Sequence, residues 1–97
     1  MVTNYQRGRH FEYRVRQHFI KEGYIVLRSA GSHTFSDLLA MKGGEILLIQ
    51  CKTDGYLPAP QREALLDAAR ENCCQAWLAR KEKGKLRLVR LEPNQPK

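Results

Sequence analysis

The sequence contains no apolar run approaching the roughly 20 residues that a membrane-spanning helix needs. Its first residues, MVTNYQR, also lack the apolar segment of a secretory signal peptide. We therefore expect neither a membrane span nor export, and we predict a cytoplasmic protein.

Cysteine is scarce, with three residues in the chain. Three cysteines cannot all pair within one chain, and a disulfide between the neighbours Cys73 and Cys74 would be strained, so we expect reduced thiols. A zinc site is disfavoured because the sequence has no CxxC pair, and His10, His18 and His33 do not stand at ligand spacing from the cysteines.

Acidic residues are few compared with basic ones, 10 against 17, and the net charge is +7. Residues 1–28 hold six basic and two acidic residues, and residues 80–97 hold seven basic and two acidic ones. Between them, residues 29–79 hold four basic and six acidic residues. Positive ends around a mildly acidic centre suit a nucleic acid that is gripped around an acid-lined site. A basic surface that serves solubility alone is the alternative.

The residue pattern predicts an α/β fold with the element order α-β-β-β-α-β-β. Its length of 97 residues fits one domain, which we assign to residues 1–91, followed by a disordered tail over 92–97. The predicted helices cover 4–22 and 61–73. The predicted strands cover 24–28, 36–41, 45–52, 75–80 and 85–91, with a loop over 29–34 and a hairpin between the last two strands.

Polar side chains at the end of the apolar strand 45–52 indicate a site. Gln50 and Lys52 lie on the same face of this strand, and a turn at Gly43 and Gly44 would bring Asp37 back beside them. Polar groups there are costly to bury without partners, so we expect a compensating network or a ligand. A cap at the strand start for Asp37 and a solvated strand end for Lys52 are the simpler alternatives.

Glu12 is a second acid that faces the sheet, because it lies three and seven residues before the apolar Val15 and Phe19. A surface ion pair with Arg9 or Arg16 is the alternative. Two carboxylates and an amide oxygen are hard ligands that suit Mg²⁺ or Mn²⁺ rather than zinc. Such an ion would act as a Lewis acid on a phosphodiester, while Lys52 orients water or offsets charge.

An ordered series of motifs resembles the Holliday-junction resolvases of the archaeal and phage type, within the PD-(D/E)xK nuclease superfamily. The series consists of RGRHFE at 7–12, RSAGS at 28–32, Ser36-Asp37 and IQCKT at 49–53. The resemblance extends over most of the chain. It implies a restriction-endonuclease-like domain with a central mixed sheet flanked by helices.

The same resemblance implies an Mg²⁺-dependent endodeoxyribonuclease of DNA recombination and repair, which resolves four-way junctions by paired nicks from a homodimer. Mn²⁺ would be a possible substitute, and no small-molecule substrate is implied. The implied metal ligands are Glu12, Asp37, Gln50 and the Cys51 carbonyl. Lys52 would be the catalytic lysine, and Ser32 would contact the scissile region, although a local turn explains this serine equally well.

Gln50 departs from the family pattern, which usually has Glu or Asp at that position. A neutral amide should hold a divalent ion less tightly than a third carboxylate. A related nuclease for flaps or duplex DNA, and a catalytically weak junction-binding protein, therefore stay open as alternatives.

The basic side chains form two candidate DNA-binding groups, and a third position opens the second helix. They are Arg7, Arg9, Arg14 and Arg16 on the first helix, Lys81, Lys83, Lys85 and Arg87 near the last turn, and Arg62. Few aromatics lie among them, which favours contacts with the duplex backbone over base stacking. Trp77, Leu78, Leu65 and Leu88 are candidates for an apolar dimer patch or for ordinary core.

Overall fold

The structure, a computed structural model, describes residues 3–29 and 36–93, except for the side chain of Asn4. Ser32, most of the predicted loop and residues 94–97 of the predicted tail lie outside this range. The described elements follow the predicted order α-β-β-β-α-β-β. They are α1 (Asn4–Lys21), β1 (Ile25–Arg28), β2 (Leu38–Lys42), β3 (Glu45–Lys52), α2 (Ala59–Glu71), β4 (Gln75–Glu82) and β5 (Lys85–Leu91).

Helix α1 begins and ends with local hydrogen bonds. The Thr3 hydroxyl accepts from the Gln6 N–H at 3.0 Å, and the Gln6 side chain accepts from the Thr3 N–H at 2.9 Å, which forms a capping box. At the other end Gly23 takes φ +93°, and the Tyr24 N–H bonds to the Phe19 carbonyl at 3.0 Å. Only glycine adopts this conformation freely, so the helix stops where the sequence predicts.

The described strands form one mixed sheet in the order β1-β2-β3-β4-β5. Strand β2 is antiparallel to both of its neighbours, β1 and β3. Strands β3 and β4 are parallel, and β4 and β5 are antiparallel. The turn between β2 and β3 consists of Gly43 and Gly44, at φ +57° and +85°. The structure therefore confirms the predicted mixed sheet.

The two described helices cover opposite faces of this sheet. Phe11, Val15 and Phe19 of α1 pack in one cluster with Leu47 and Ile49 of β3. On the other face of the sheet, α2 packs in a second cluster with residues of β3, β4 and β5, which are Leu48, Ala76, Leu78 and Leu91. Alternate side chains of a strand point to opposite faces, so β3 lies in the middle of both cores. Neither described helix is long and apolar enough to span a membrane.

Several predicted element bounds are wrong by two residues. Helix α2 begins at Ala59 rather than 61 and ends at Glu71 rather than 73. Pro60 fits inside its first turn because the N–H groups there need no partner within the helix. Strand β4 continues to Glu82, since the turn to β5 needs only Lys83 and Gly84, at φ +52° and +78°.

The candidate dimer residues belong to the core. Leu65 and Leu78 are 0% and 8% exposed in the α2 cluster. Trp77 and Leu88 are half-buried against the α1 cluster. Leu65 and Leu78 are therefore core residues, whereas Trp77 and Leu88 each keep part of their surface exposed.

Candidate active site

A cavity of about 470 Å³ lies between the first half of α1 and the end of β3. Five residues that were predicted to be catalytic or metal-binding line it together: Glu12, Asp37, Gln50, Cys51 and Lys52. Its other lining residues are Tyr5, Gly8, Arg9, Arg28 and Ser29. Residues far apart in the sequence thus share one polar opening on the surface.

Asp37 lies directly before β2 and is hydrogen-bonded to its neighbours. Its N–H bonds to the Ile49 carbonyl, and its carbonyl accepts from the Ser29 N–H, both at 2.9 Å. Its side-chain Oδ2 accepts from the Cys51 N–H at 2.8 Å. These bonds tie the carboxylate to the backbone beside Gln50 and Lys52, which fixes its direction before any ligand arrives.

The pKa of Asp37 is raised above its ordinary value, mainly because burial disfavours the charged form. The hydrogen bond from Cys51 works in the opposite direction. Repulsion from Glu12 raises this pKa further, whereas Lys52 and Arg28 lower it. The two carboxylates therefore repel each other, and the positive charges of Lys52 and Arg28 offset part of this repulsion.

Glu12 projects from α1 and makes an ion pair with Arg28 at the end of β1. Arg28 Nε lies 2.5 Å from Glu12 Oε1, and the Glu12 side chain is 16% exposed. The alternative pairs with Arg9 and Arg16 do not occur among the described contacts. Arg9 bonds to Tyr5 instead, and the buried Nε of Arg16 has no hydrogen-bond partner among the described residues. Arg28 is a site residue to which the sequence reasoning gave no role, although it is the first residue of the RSAGS motif.

Cys51 contributes to the site through its backbone. Its side chain packs against the α1 cluster, and burial, the main cause, raises the pKa of the thiol. A thiol with such a pKa is a poor nucleophile and a poor metal ligand at neutral pH. The three cysteines are free thiols.

The donor atoms at this cavity fit a hard divalent ion. The described residues contain no group of three or more His, Cys, Asp and Glu side chains that could hold a metal. Glu12 and Asp37 supply two carboxylates, and Gln50 can supply a neutral oxygen. A divalent cation here would offset both the cost of burying the charged Asp37 and its repulsion from Glu12, so the residues present fit such an ion. Ser32 lies outside the described residues and stays a prediction.

The two predicted basic groups lie next to each other in space. Arg14 donates from Nη1 to the Gly84 carbonyl at 2.9 Å, and Lys81 Nζ lies 5.7 Å from the ring centre of Phe11. These contacts join α1 to the β4–β5 turn. We call the exposed bases of this region the basic face, and its members are Arg7, Arg14, Lys81, Lys83 and Lys85.

The remaining candidate DNA contacts are more engaged with the protein. Arg9 donates to the Tyr5 hydroxyl at 3.1 Å, and Arg62 donates to the Glu92 carbonyl at 3.3 Å. Arg87 lies 3.7 Å from Glu82, and Arg16 is half-buried. Arg16 is therefore the least accessible of the predicted contacts on α1.

Strand β1 exposes two large apolar side chains that the sequence reasoning missed. Ile25 is 64% and Leu27 55% exposed, and both belong to an edge strand of the sheet. They pair with Met41 and Leu39 of β2, which are half-buried. We call these four residues the β1 patch. Exposed apolar residues that adjoin one another are typical of a surface that another protein covers.

Comparison with known proteins identifies relatives of this chain. The family model described as archaeal Holliday junction resolvase (Hjc) matches residues 3–95. The crossover junction endodeoxyribonuclease Hjc of Methanocaldococcus jannaschii is 43% identical over 53 residues, which is 55% of this chain and 39% of that protein. The match thus spans about two fifths of the length of this curated relative.

A solved structure has the same fold. It is that of Archaeoglobus fulgidus Hjc, a Holliday junction resolvase from an archaeal hyperthermophile. Its TM-score with this chain is 0.76 at 27% sequence identity, over 86% of this chain and 76% of that one.

Proposed function

Because the chain belongs to the archaeal Holliday junction resolvase family, we propose that it is a divalent-metal-dependent endonuclease that cuts four-way DNA junctions. One observation carries this proposal more than any other. Glu12, Asp37, Gln50 and Lys52 line a single cavity. Acids, an amide and an ammonium group are together the groups that metal-assisted phosphodiester hydrolysis needs.

The carboxylates of Glu12 and Asp37, the side-chain oxygen of Gln50 and the Cys51 carbonyl would hold the ion. Such an ion would supply Lewis-acid assistance to hydrolysis of the phosphodiester and would make water a better nucleophile. We propose Mg²⁺ as the cofactor, with Mn²⁺ as a substitute, because every donor is an oxygen atom.

Cys51, Lys52 and Gln50 would each have a different task in the reaction. The Cys51 N–H fixes the orientation of Asp37. Lys52 orients the attacking water or stabilises the negative charge that develops on the phosphoryl oxygens. The Gln50 amide is uncharged at every pH, so it contributes an oxygen or a hydrogen bond to water without adding to the repulsion between Glu12 and Asp37.

The basic face would hold the phosphate backbone of the arms of the junction. Arg7 and Arg14 are two helical turns apart on α1, and Lys83 and Lys85 flank Gly84, the turn residue to which Arg14 bonds. Such contacts position DNA without reading its sequence, so the branched shape would be recognised.

Paired nicks require two sites, and we propose a homodimer. The β1 patch supports this assembly, since Ile25 and Leu27 expose apolar area that a second copy would remove from water. A dimer would also stabilise a chain of this size.

Cleavage of labelled DNA tests the proposed activity. Incubation of a four-way junction with the protein and Mg²⁺ or Mn²⁺ should give symmetric nicks, while a flap and a linear duplex of the same sequences are cut more slowly. Asp37→Asn and Lys52→Ala should each lower the rate about 100-fold or more. Asp67→Asn, a change in an exposed pair with Arg70 on α2, is the matched control and should leave cleavage unchanged.

A junction-binding protein without cleavage is the second candidate. The neutral Gln50 favours it, because the described site contains two carboxylates rather than three. Intact junction that stays bound at every metal concentration would support this candidate against the nuclease. Faster cutting of flap or duplex would indicate a nuclease with another substrate.

A further inference from the structure

Tyr5 lies on the rim of the candidate active site, and most of its surface is exposed. Its relative exposure is 70%, yet it lines the same cavity as Glu12, Asp37 and Lys52. The ring therefore contributes little to the core. An exposed ring beside a polar cavity is available to a ligand that has a flat apolar face.

The ring is also held in one place. Arg9, one turn later on α1, donates from Nη1 to the Tyr5 hydroxyl at 3.1 Å, and its guanidinium carbon lies 5.9 Å from the ring centre. The capping box of Thr3 and Gln6 fixes the backbone of this first turn. A ring that is fixed in advance loses less conformational entropy when it binds.

Space for a planar group adjoins the ring. Gly8, which also lines the cavity, has no neighbouring atom within 4 Å of the position that a Cβ would occupy. The cavity volume of about 470 Å³ is within the range of small-molecule sites. The groups that would act on a phosphodiester line the same cavity, so an adjoining nucleoside would lie near Tyr5.

We propose that Tyr5, held by Arg9, stacks on a nucleobase next to the scissile phosphodiester. This inference rests on the proposed function, because it assumes that DNA occupies the cavity. Within a continuous duplex every base already stacks on its neighbours. A base at a branch point loses such contacts at low cost, and its exposed face can then be covered by an aromatic ring. Tyr5 would thus favour branched over continuous DNA, in addition to the backbone contacts of the basic face.

Removal of one base at a time from a junction tests this contact. Binding is measured without divalent ions and in the Asp37→Asn background, for junctions that carry a single abasic nucleotide at successive positions around the branch point. The protein with Tyr5 should bind the intact junction about 5- to 150-fold more tightly than Tyr5→Ala. At one position the abasic junction should bind both proteins equally, because the ring and the base form one pair in a double-mutant cycle.

Two further variants serve as comparisons. Tyr5→Phe keeps the ring and loses the bond to Arg9, so it should retain more affinity than Tyr5→Ala. Tyr56→Ala removes a ring that is 69% exposed in the loop before α2 and outside the cavity lining. It should keep the full sensitivity to the missing base.

The outcomes separate the stacking contact from the proposed function. The inference is overturned if Tyr5→Ala binds the intact junction as tightly as the parent, or if no abasic position cancels the effect of the substitution. Affinity for a linear duplex is measured in the same way, and the inference is also overturned if Tyr5→Ala lowers the affinities for junction and duplex equally. A wild-type protein that never cuts DNA, combined with a cancelling abasic position, would overturn the nuclease and leave the stacking contact intact. A wild-type protein that binds neither the junction nor the duplex would overturn both the stacking contact and the proposed function.

Discussion

Arg28 forms an ion pair with Glu12, with 2.5 Å between Nε and Oε1. The guanidinium comes from the end of β1 and the carboxylate from α1, so the pair also connects these two elements. Arg28 contributes to the surroundings of Asp37 as well, where its charge lowers the pKa of that carboxyl group. The proposed metal ligand Glu12 is thus already paired with a cationic side chain of the protein.

Arg28→Ala should increase the affinity for divalent ions. The change removes both a competitor for Glu12 and a repelling positive charge, and we expect a dissociation constant for Mn²⁺ about five- to tenfold lower. Isothermal titration of Mn²⁺ into the protein without DNA measures it. Arg70→Ala breaks an exposed pair with Asp67 on α2 and should not change the affinity. Weaker binding in Arg28→Ala would show that Arg28 positions Glu12 for the metal instead.

Asp37→Asn should stabilise the protein in EDTA at neutral pH. The pKa of Asp37 in the folded protein is raised, chiefly by burial, so folding favours the protonated acid. Stability from this residue is therefore fully present below the unfolded pKa and is lost as pH rises through the folded one. Thermal unfolding at several pH values should show an advantage of the variant that grows over this interval and then stays constant. A variant that melts below the wild type at neutral pH contradicts this assignment of the burial cost.

Gln50→Glu should reduce the metal concentration that cleavage requires. A third carboxylate adds one negative charge at the cavity, and we expect about a tenfold lower concentration of Mg²⁺ at half-maximal rate. The measurement is a titration of cleavage rate against Mg²⁺. Gln61→Glu, in the exposed first turn of α2, is a control with the same change of charge. An unchanged or higher requirement would mean that Gln50 acts on water rather than on the ion.

Removal of two charges from the basic face should weaken the salt dependence of junction binding. Lys83→Asn with Lys85→Ala changes two exposed side chains, and asparagine tolerates the φ of +52° at position 83. If each lysine neutralises one phosphate, the slope of log affinity against log salt should decrease by about 2. Arg70→Ala on α2 should leave the slope as it is. Equal slopes for all three proteins would exclude these lysines from the interface.

Charge on the β1 patch should prevent self-association. Leu27→Glu places a carboxylate among apolar side chains, which would be costly to bury against a second copy. Sedimentation velocity should show a dimer for the wild type and a monomer for this variant. Ile20→Glu changes an apolar residue on α1 that is 41% exposed and serves as the control. A Leu27→Glu protein that sediments as the wild type would exclude the patch as the interface.

The sequence predicts the part of the site that depends on local geometry. The glycine turn at 43–44 aligns β2 with β3, and this pairing brings Asp37 beside Gln50. The spacing from Glu12 to the buried Val15 places the acid next to the core. Turn chemistry and side-chain periodicity suffice for such predictions because both act over a few residues.

The contacts that the sequence could not provide join distant residues. Arg28 lies 16 residues after Glu12, and Arg14 lies 70 residues before Gly84, so both contacts depend on how α1 crosses the sheet. Local ion pairs for Glu12 were reasonable candidates, but Arg9 bonds to Tyr5 instead. The exposure of Leu27 could not be predicted either, because an apolar strand in the middle of a sheet and one at its edge have the same residue pattern.

The order of the strands has a consequence for how the chain folds. Each described strand pairs with its neighbour in the sequence, and the crossover through α2 separates the first three strands from the last two. Glu12, Asp37, Gln50 and Lys52 all precede that crossover. During synthesis α1 and the antiparallel strands can associate before α2 has formed, since such local pairing closes quickly. The half that contains these four residues can thus acquire its shape first, and the later half then covers the opposite face and adds the lysines of the basic face.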